Sequence, residues 1–193
     1  MKAASPMLLP LLRSPFQGEL LAWLFLHPEG EFSLVELARR FEVSPATVTR
    51  EADRFVAAGL IQERRHGNLR LLRARTDSVV AGPLAELLAV TYGPTAVLGT
   101  LLAQVPQVEE AYVYGSWAAR YRGRPGDVPR DVDVLVIGDA DEDDLYEVSR
   151  NAEHALGREV NIRRVSRQLW ENPGDDPFLS AVRARPLVPL NLI

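Results

Sequence analysis

The chain has 193 residues, 47% hydrophobic and 25% charged, the balance of a globular protein made of one domain or two small ones. It contains no cysteine, which excludes disulfides, iron–sulfur clusters, zinc ribbons and thiol redox sensing. Its three histidines (His27, His66, His154) are too scattered for a histidine-rich metal site. The net charge of −4 is uneven: residues 1–74 carry ten Lys/Arg against eight Asp/Glu, and residues 75–193 twelve against eighteen, so a basic patch belongs to the first third.

The longest clean apolar run, Leu20–Leu26, is too short to cross a bilayer. Met7–Leu12 is interrupted by Pro10 and stops at Arg13, which makes a poor signal peptide. The expectation is a soluble cytoplasmic protein with no membrane partner. A first helix is expected over Phe16–Leu26, with Phe16, Leu20, Leu21, Leu24 and Phe25 as its stripe and His27-Pro28 as its stop. Ser33 and Glu36 have the spacing of a capping box, so a second helix opens there and buries Leu34, Leu37, Ala38 and Phe41. Glu42-Val43 is a short turn. Ser44 caps a third helix, Pro45 takes its first position, and Val48, Ala52, Phe55 and Val56 share one face up to Gly59. Leu60–Arg64 and Leu69–Arg73 then read as a hairpin around Gly67-Asn68.

Two short helices joined by a tight turn can set the second into the major groove of double-stranded DNA while the first braces it. The outward candidates for DNA binding are Ser44, Pro45, Thr47, Thr49, Arg50 and Arg54 on the third helix. Arg64, Arg65 and Arg70 put cations on the hairpin, where a wing touches phosphate or the minor groove. The stretch FSLVELARRFEVSPATVTREADRFVAAGLIQERRHGNLRLLRA resembles winged-helix regulators of the ArsR/MarR type. That resemblance implies a bacterial, DNA-binding transcriptional regulator. The alternative is a winged helix used for protein contact. The Cys and His clusters of metal-sensing relatives are absent, so metal sensing is not implied.

Two helices follow, one from about Pro83 to Tyr92 and one over Thr95–Gln104, divided by Gly93-Pro94. Leu84, Leu87, Leu88 and Thr91 share one side of the first. This connector either packs on the second domain or forms the seam of a homodimer matched to two half-sites.

The remainder has a different pattern. Glu110–Tyr114 is a short strand that runs into Gly115-Ser116 and a helix over Trp117–Tyr121; such a turn can offer backbone N–H groups and a hydroxyl to phosphate. After a polar loop, Asp131–Ile137 is a second strand, with Asp131 and Asp133 on one face and Val132, Val134 and Val136 on the other. Two carboxylates so placed can hold Mg²⁺ against a phosphate, and burying them without a cation is costly. Asp139–Asp144 reads as an acidic helix start, with Leu145, Val148, Ala152 and Ala155 packed on the sheet. Glu159–Val165 is a third strand, Trp170, Phe178, Leu179 and Val182 pack in C-terminal helices, and LVPLNLI is an extended docked tail.

The stretch YGSWAARYRGRPGDVPRDVDVLVIGD resembles the Gly-Ser…Asp-x-Asp motif of the minimal nucleotidyltransferase fold, shared with polymerase β-like enzymes and nucleotidyltransferase antitoxins. Fourteen residues separate Ser116 from Asp131, more than the usual spacing. The resemblance implies that Gly115 and Ser116 hold the phosphates of a nucleoside triphosphate and that Asp131 and Asp133 are the metal and catalytic carboxylates for Mg²⁺. Arg120 either pairs with phosphate or is a solvated helix charge. The third carboxylate of active members falls on Asn161, which cannot serve as an anionic base; Glu159 shares its face one residue pair away. The fold expected is therefore α+β: a winged helix-turn-helix over 1–76, a helical connector over 77–106, and a nucleotidyltransferase-like domain over 107–193 with a small mixed sheet flanked by helices. The function expected is a dimeric regulator whose second domain binds a nucleotide with Mg²⁺ and is degenerate for transfer. The alternative is an enzyme moving a nucleotide from NTP to a protein or small-molecule hydroxyl.

Overall fold

The computed structural model describes residues 12–192, so most of the Met7–Leu12 stretch and the final residue of the tail lie outside the described residues. These residues form two compact units that divide between Tyr92 and Gly93.

In the first unit, α1 (Pro15–Leu26) is capped by Ser14, whose side chain accepts from the Gln17 N–H, with Pro15 in the first turn. It is apolar nearly all round, and Leu20, Leu21, Leu24, Phe25 and Leu26 are all buried. A helix of that composition needs cover on more than one side. A short strand β1 (Phe32–Ser33) leads into α2 (Leu34–Arg40). The capping box forms as its spacing requires: the Ser33 hydroxyl accepts from the Glu36 N–H at 3.2 Å, and the Glu36 carboxylate accepts from the Ser33 N–H at 2.7 Å. Glu42, in the turn, adopts a left-handed φ of 52°. Ser44 caps α3 (Pro45–Ala57), which buries Val48, Ala52 and Phe55. Gly59 ends the turn after it at φ 71°. Strands β2 (Ile61–His66) and β3 (Leu69–Ala74) pair as an antiparallel hairpin, and β1 adds to β3, giving the order β1-β3-β2. The unit ends in α4 (Ala81–Tyr92), which packs on α1 through Leu88.

The second unit begins with α5 (Pro94–Leu102), then β4 (Val108–Tyr114), α6 (Gly115–Tyr121), β5 (Asp131–Gly138), α7 (Glu142–Leu156), β6 (Glu159–Val165), α8 (Arg167–Glu171), α9 (Pro177–Arg183) and β7 (Val188–Pro189). Its mixed sheet has the order β6-β5-β4-β7, with β5 and β6 parallel and the other pairs antiparallel. Alternation sends Val113, Val132, Val134, Val136 and Val160 to one face, over α5 and α7. Leu135 and Val165 point to the opposite face and form a core with Leu179 and Val182 of α9. Helices thus cover both faces, in an α+β architecture. On α7 the buried residues are Leu145, Val148, Ala152 and Leu156; the inward position at the end is Leu156, and the expected Ala155 is exposed.

The 77–106 stretch is divided: α4 belongs to the first unit and α5 to the second. By length and composition Ala81–Leu102 is apolar enough to cross a membrane, with a mean hydropathy of 1.3 in its 18-residue window. That run is interrupted at Gly93, whose extended backbone caps α5 while Pro94 opens it.

Candidate DNA interface and carboxylate site

The third helix of a helix-turn-helix can read DNA only with its outward face, and α3 presents Pro45, Thr47, Thr49, Arg50, Asp53 and Arg54 there. Several of these polar groups are already engaged. The Ser44 hydroxyl accepts from the Thr47 N–H at 3.1 Å and shares a hydrogen bond with the Thr47 hydroxyl. The Thr49 hydroxyl donates to the Pro45 carbonyl at 2.8 Å. Arg54 donates to Glu51 at 2.5 Å. Glu51 is buried at 6% exposure and takes a second hydrogen bond from Gln17, so Arg54 satisfies a carboxylate that would otherwise be costly. Arg50 is different: its side chain is 62% exposed and only 3.9 Å from Glu51 at its nearest.

The wing cations divide in the same way. Arg64 bonds Glu31 at 2.5 Å. Its guanidinium holds the Glu31 carboxyl below the usual carboxylate range. Arg70 reaches Asp53 on α3 at 2.7 Å and Glu63 on β2 at 2.5 Å, with its own side chain only 20% exposed. It therefore pins the hairpin to α3. Arg65 stands opposite Arg70 in the ladder and is exposed. All of these arginines belong to the face expected to meet DNA. The Asp53–Arg70–Glu63 clamp has no local signal in the sequence, because nothing pairs Arg70 with a residue seventeen positions earlier.

In the second unit the sheet register brings the candidate carboxylates together. Asp133 on β5 faces Tyr114 on β4 and Asn161 on β6, and Asp131 faces Glu159. Neighbouring strands lie about 4.8 Å apart, so Asp131, Asp133, Glu159 and Asn161 form a polar quadrilateral on one face. Asp131 is exposed and Asp133 half-buried. Burial, then the Asp131 charge, pushes the Asp133 carboxyl up, while a hydrogen bond to Asn161 works the other way. Tyr114 is also raised, by burial first and then by Asp133.

Gly115 opens α6 at φ 69°, and a Cβ there would come within 2.5 Å of the Asp133 Oδ2. Glycine is therefore needed twice, for the left-handed backbone and for the carboxylate lying against it. Ser116 is exposed in the first turn of α6. Arg120 turns away and donates to the Arg124 carbonyl at 2.8 Å, closing the following loop. Among the described residues no three His, Asp or Glu side chains converge as a metal cluster. Asp131, Asp133 and the Asn161 amide are a set of two anionic donors and one neutral donor. That set suits one divalent cation sharing its shell with water or phosphate.

Residues 14–71 match the model of the MarR family. No curated protein matches the chain. Among solved structures, reduced HlyU from Vibrio cholerae is 22% identical with a TM-score of 0.37, over 45% of this chain and 86% of that one. YusO from Bacillus subtilis is 27% identical with a TM-score of 0.33, over 39% and 54%. A ZitR double mutant from Lactococcus lactis is 23% identical with a TM-score of 0.33, over 40% and 51%. The chain thus spans about half the length of the YusO and ZitR chains. These TM-scores are too low to define a shared overall fold. The match over 14–71 and the elements themselves make the first unit a MarR-like winged helix-turn-helix, a DNA-binding type of domain.

Proposed function

We propose that the chain is a DNA-binding transcriptional regulator acting in the cytoplasm. The observation that carries this reading is Arg50, exposed at the middle of α3 with only a long 3.9 Å contact to Glu51, in a unit whose wing is held in place by Arg70. Arg50 is the base-reading side chain, Arg65 meets phosphate, and Ser44, Thr47 and Thr49 contact the backbone through the helix start. Arg50→Ala should weaken binding to the specific site by about 1–3 kcal/mol and relax its sequence preference. The test is fluorescence anisotropy on the DNA upstream of the chain's own gene at stated salt. An unchanged affinity and preference would remove Arg50 from this role.

The regulator acts as a homodimer on this reading. Leu87 and Val90 on α4 are 45% and 56% exposed on the side away from Leu88, and Val80, just before the helix, is 49% exposed. A second copy is the occupant that a two-half-site operator calls for.

For the second unit we propose binding of a nucleotide with one Mg²⁺, without transfer. The half-buried Asp133 beside Asp131 supports it, because a cation relieves the cost of holding both charges. Asp131, Asp133 and Asn161 would hold the ion, and the Gly115-Ser116 turn would face the phosphates. An ion there supplies charge neutralisation of the phosphates. Asn161 in place of a third carboxylate argues against an acceptor-activating base, and thus against the nucleotidyltransferase alternative. Labelled NTP and Mg²⁺ with the full chain test both: retention of label without covalent transfer is expected. Transfer that is lost in Asp133→Ala would instead make the protein an enzyme.

A further inference from the structure

The mixed sheet of the second unit ends at β6, and the outer side of that strand borders a groove against α7. Its volume is about 520 Å³, and Leu145, Tyr146 and Ser149 of α7 face Val160, Ile162 and Arg164 of β6 across it. At one end the edge is closed from within. The Ser149 hydroxyl donates to the Val160 carbonyl at 2.5 Å, and the Val160 N–H donates to Glu153 at 3.1 Å. Both backbone groups of Val160 therefore point outward from the sheet. In a parallel pair, alternate residues turn both groups to the same side, so Ile162 and Arg164 also present N–H and C=O outward. The side chain of Arg164 folds back onto the Ala140 carbonyl at 2.9 Å and Glu142 at 3.3 Å, leaving its backbone clear. The edge offers four backbone groups with a half-buried Ile162 and a 63% exposed Tyr146 beneath them.

We propose that this edge takes up an extended segment of a partner protein with an apolar–acidic–apolar pattern, as a fifth strand antiparallel to β6. Opposite residues of a ladder point to the same face. Residues opposite Ile162 and Arg164 drop their side chains toward Ile162, Leu145 and Tyr146, which calls for apolar groups. The residue between them stands beside Arg163 on the other face. Arg163 is exposed, and its guanidinium lies 3.6 Å over the Phe178 ring, which fixes it there. That position calls for Asp or Glu. The acids of α7 nearest the groove do not oppose this, since Glu142 is paired with Arg164 and Glu153 is spent on Val160. The same geometry argues against a second copy as the occupant. The antiparallel register that uses all four free groups pairs Ile162 with Arg164 and sets Arg163 directly opposite Arg163, two like charges at the closest cross-strand distance.

The test uses the full chain, labelled with ¹⁵N, and the blocked peptide acetyl-Thr-Val-Glu-Val-Thr-amide. Saturable shifts centred on the amides of Ile162, Arg163 and Arg164 are expected. A Lys in place of the Glu should weaken binding by about tenfold at low salt. Methylating the two Val nitrogens should abolish binding, because it removes the ladder donors. Arg163→Ala should erase the preference for Glu over Lys. No shift at those amides at millimolar peptide, equal binding of the two peptides, or binding that survives methylation would each overturn the proposal. So would the same shifts arising without peptide as chain concentration rises, which would assign the edge to a second copy.

Discussion

Arg70 is the residue on which the position of the wing depends, and its removal separates a clamp from a DNA contact. Its guanidinium gives one contact to Asp53 and two to Glu63, and it is mostly covered at 20% exposure. Burial works against its charge, and Asp53 and Glu63 outweigh that to raise its pKa. The partners are 60% and 44% exposed, so each pair is screened. Exposed pairs contribute about 0.2–1 kcal/mol each, with the forked contact to Glu63 at the upper end, so Arg70→Ala should cost about 1–2 kcal/mol of first-unit stability. Asp53 and Glu63 would then face DNA without their cation, and the hairpin would lose its tie to α3. Affinity for the specific site should fall by about tenfold, equivalent to about 1.4 kcal/mol. The slope of log affinity against log salt should not change, because a clamp releases no counterion from the DNA. Urea unfolding followed by Trp23 emission, with anisotropy titrations at several salt concentrations, reads both quantities. A slope shallower by about 0.9 with stability intact would show that Arg70 meets a phosphate, and the clamp argument would be wrong.

Ser33→Ala should destabilise the first unit by about 1 kcal/mol through loss of the α2 cap, measured by urea melts. The backbone and side chain of Ser33 hold the Glu36 carboxyl below its ordinary value, so the stability it adds is present above the unfolded value near 4.5 and fades as pH falls through the lower folded value. A pH series on wild type and Glu36→Gln should show that acid loss only in wild type. Gly115→Ala should cost about 1–2 kcal/mol for its left-handed backbone alone, before the clash with Asp133, and should lower the melting temperature of the second unit. Mg²⁺ at a hundred times its Kd should stabilise that unit by about 2.7 kcal/mol, and Asp133→Asn should remove the effect. Leu87→Glu should shift the species seen in analytical ultracentrifugation from dimer to monomer, and an unchanged dimer would place the seam elsewhere.

The parts that could be read from sequence are those whose causes are local. Ser33 and Glu36 satisfy each other across one turn, and Ser44-Pro45 defines the start of α3 without help from elsewhere. The Asp131–Ile137 alternation places both carboxylates on one face, whereas the parallel register that sets Asn161 opposite Asp133 is fixed by the pairing of β5 with β6 and not by either strand's own pattern. The remainder depends on partners distant in sequence. Helices α4 and α5 are both short, apolar and nearly uncharged, so composition could not assign them to different units; Gly93 divides them because α4 packs on α1 and α5 on β4 and α7. The burial of Gly18, Ala22 and Leu26 on α1 lies outside the stripe the sequence shows, because α4 packs on this helix as well. Strand order set the free edge at β6, and no property of EVNIRRV marks it as the last strand.

The ion pairs of the first unit determine how strongly DNA binding responds to salt. Of the five arginines assigned to the DNA face, Arg54, Arg64 and Arg70 are held by Glu51, Glu31 and the Asp53/Glu63 pair. A guanidinium that must leave a carboxylate to reach a phosphate exchanges one anion for another and gains little. Arg50 and Arg65 remain able to neutralise DNA without breaking a strong contact. With Arg50 on a base and Arg65 on a phosphate, each winged helix has a salt slope of about −0.9, whereas release of Arg54, Arg64 and Arg70 onto phosphates as well would give about −3.6. A low slope fits a chain whose second part is net acidic, because affinity then depends on base contacts more than on general attraction to polyanions. Titrations of wild type at several salt concentrations decide between the two values per bound domain. A slope near the larger one would mean that the acidic partners let go on binding, and that these pairs are rearranged at the DNA surface instead of persisting there.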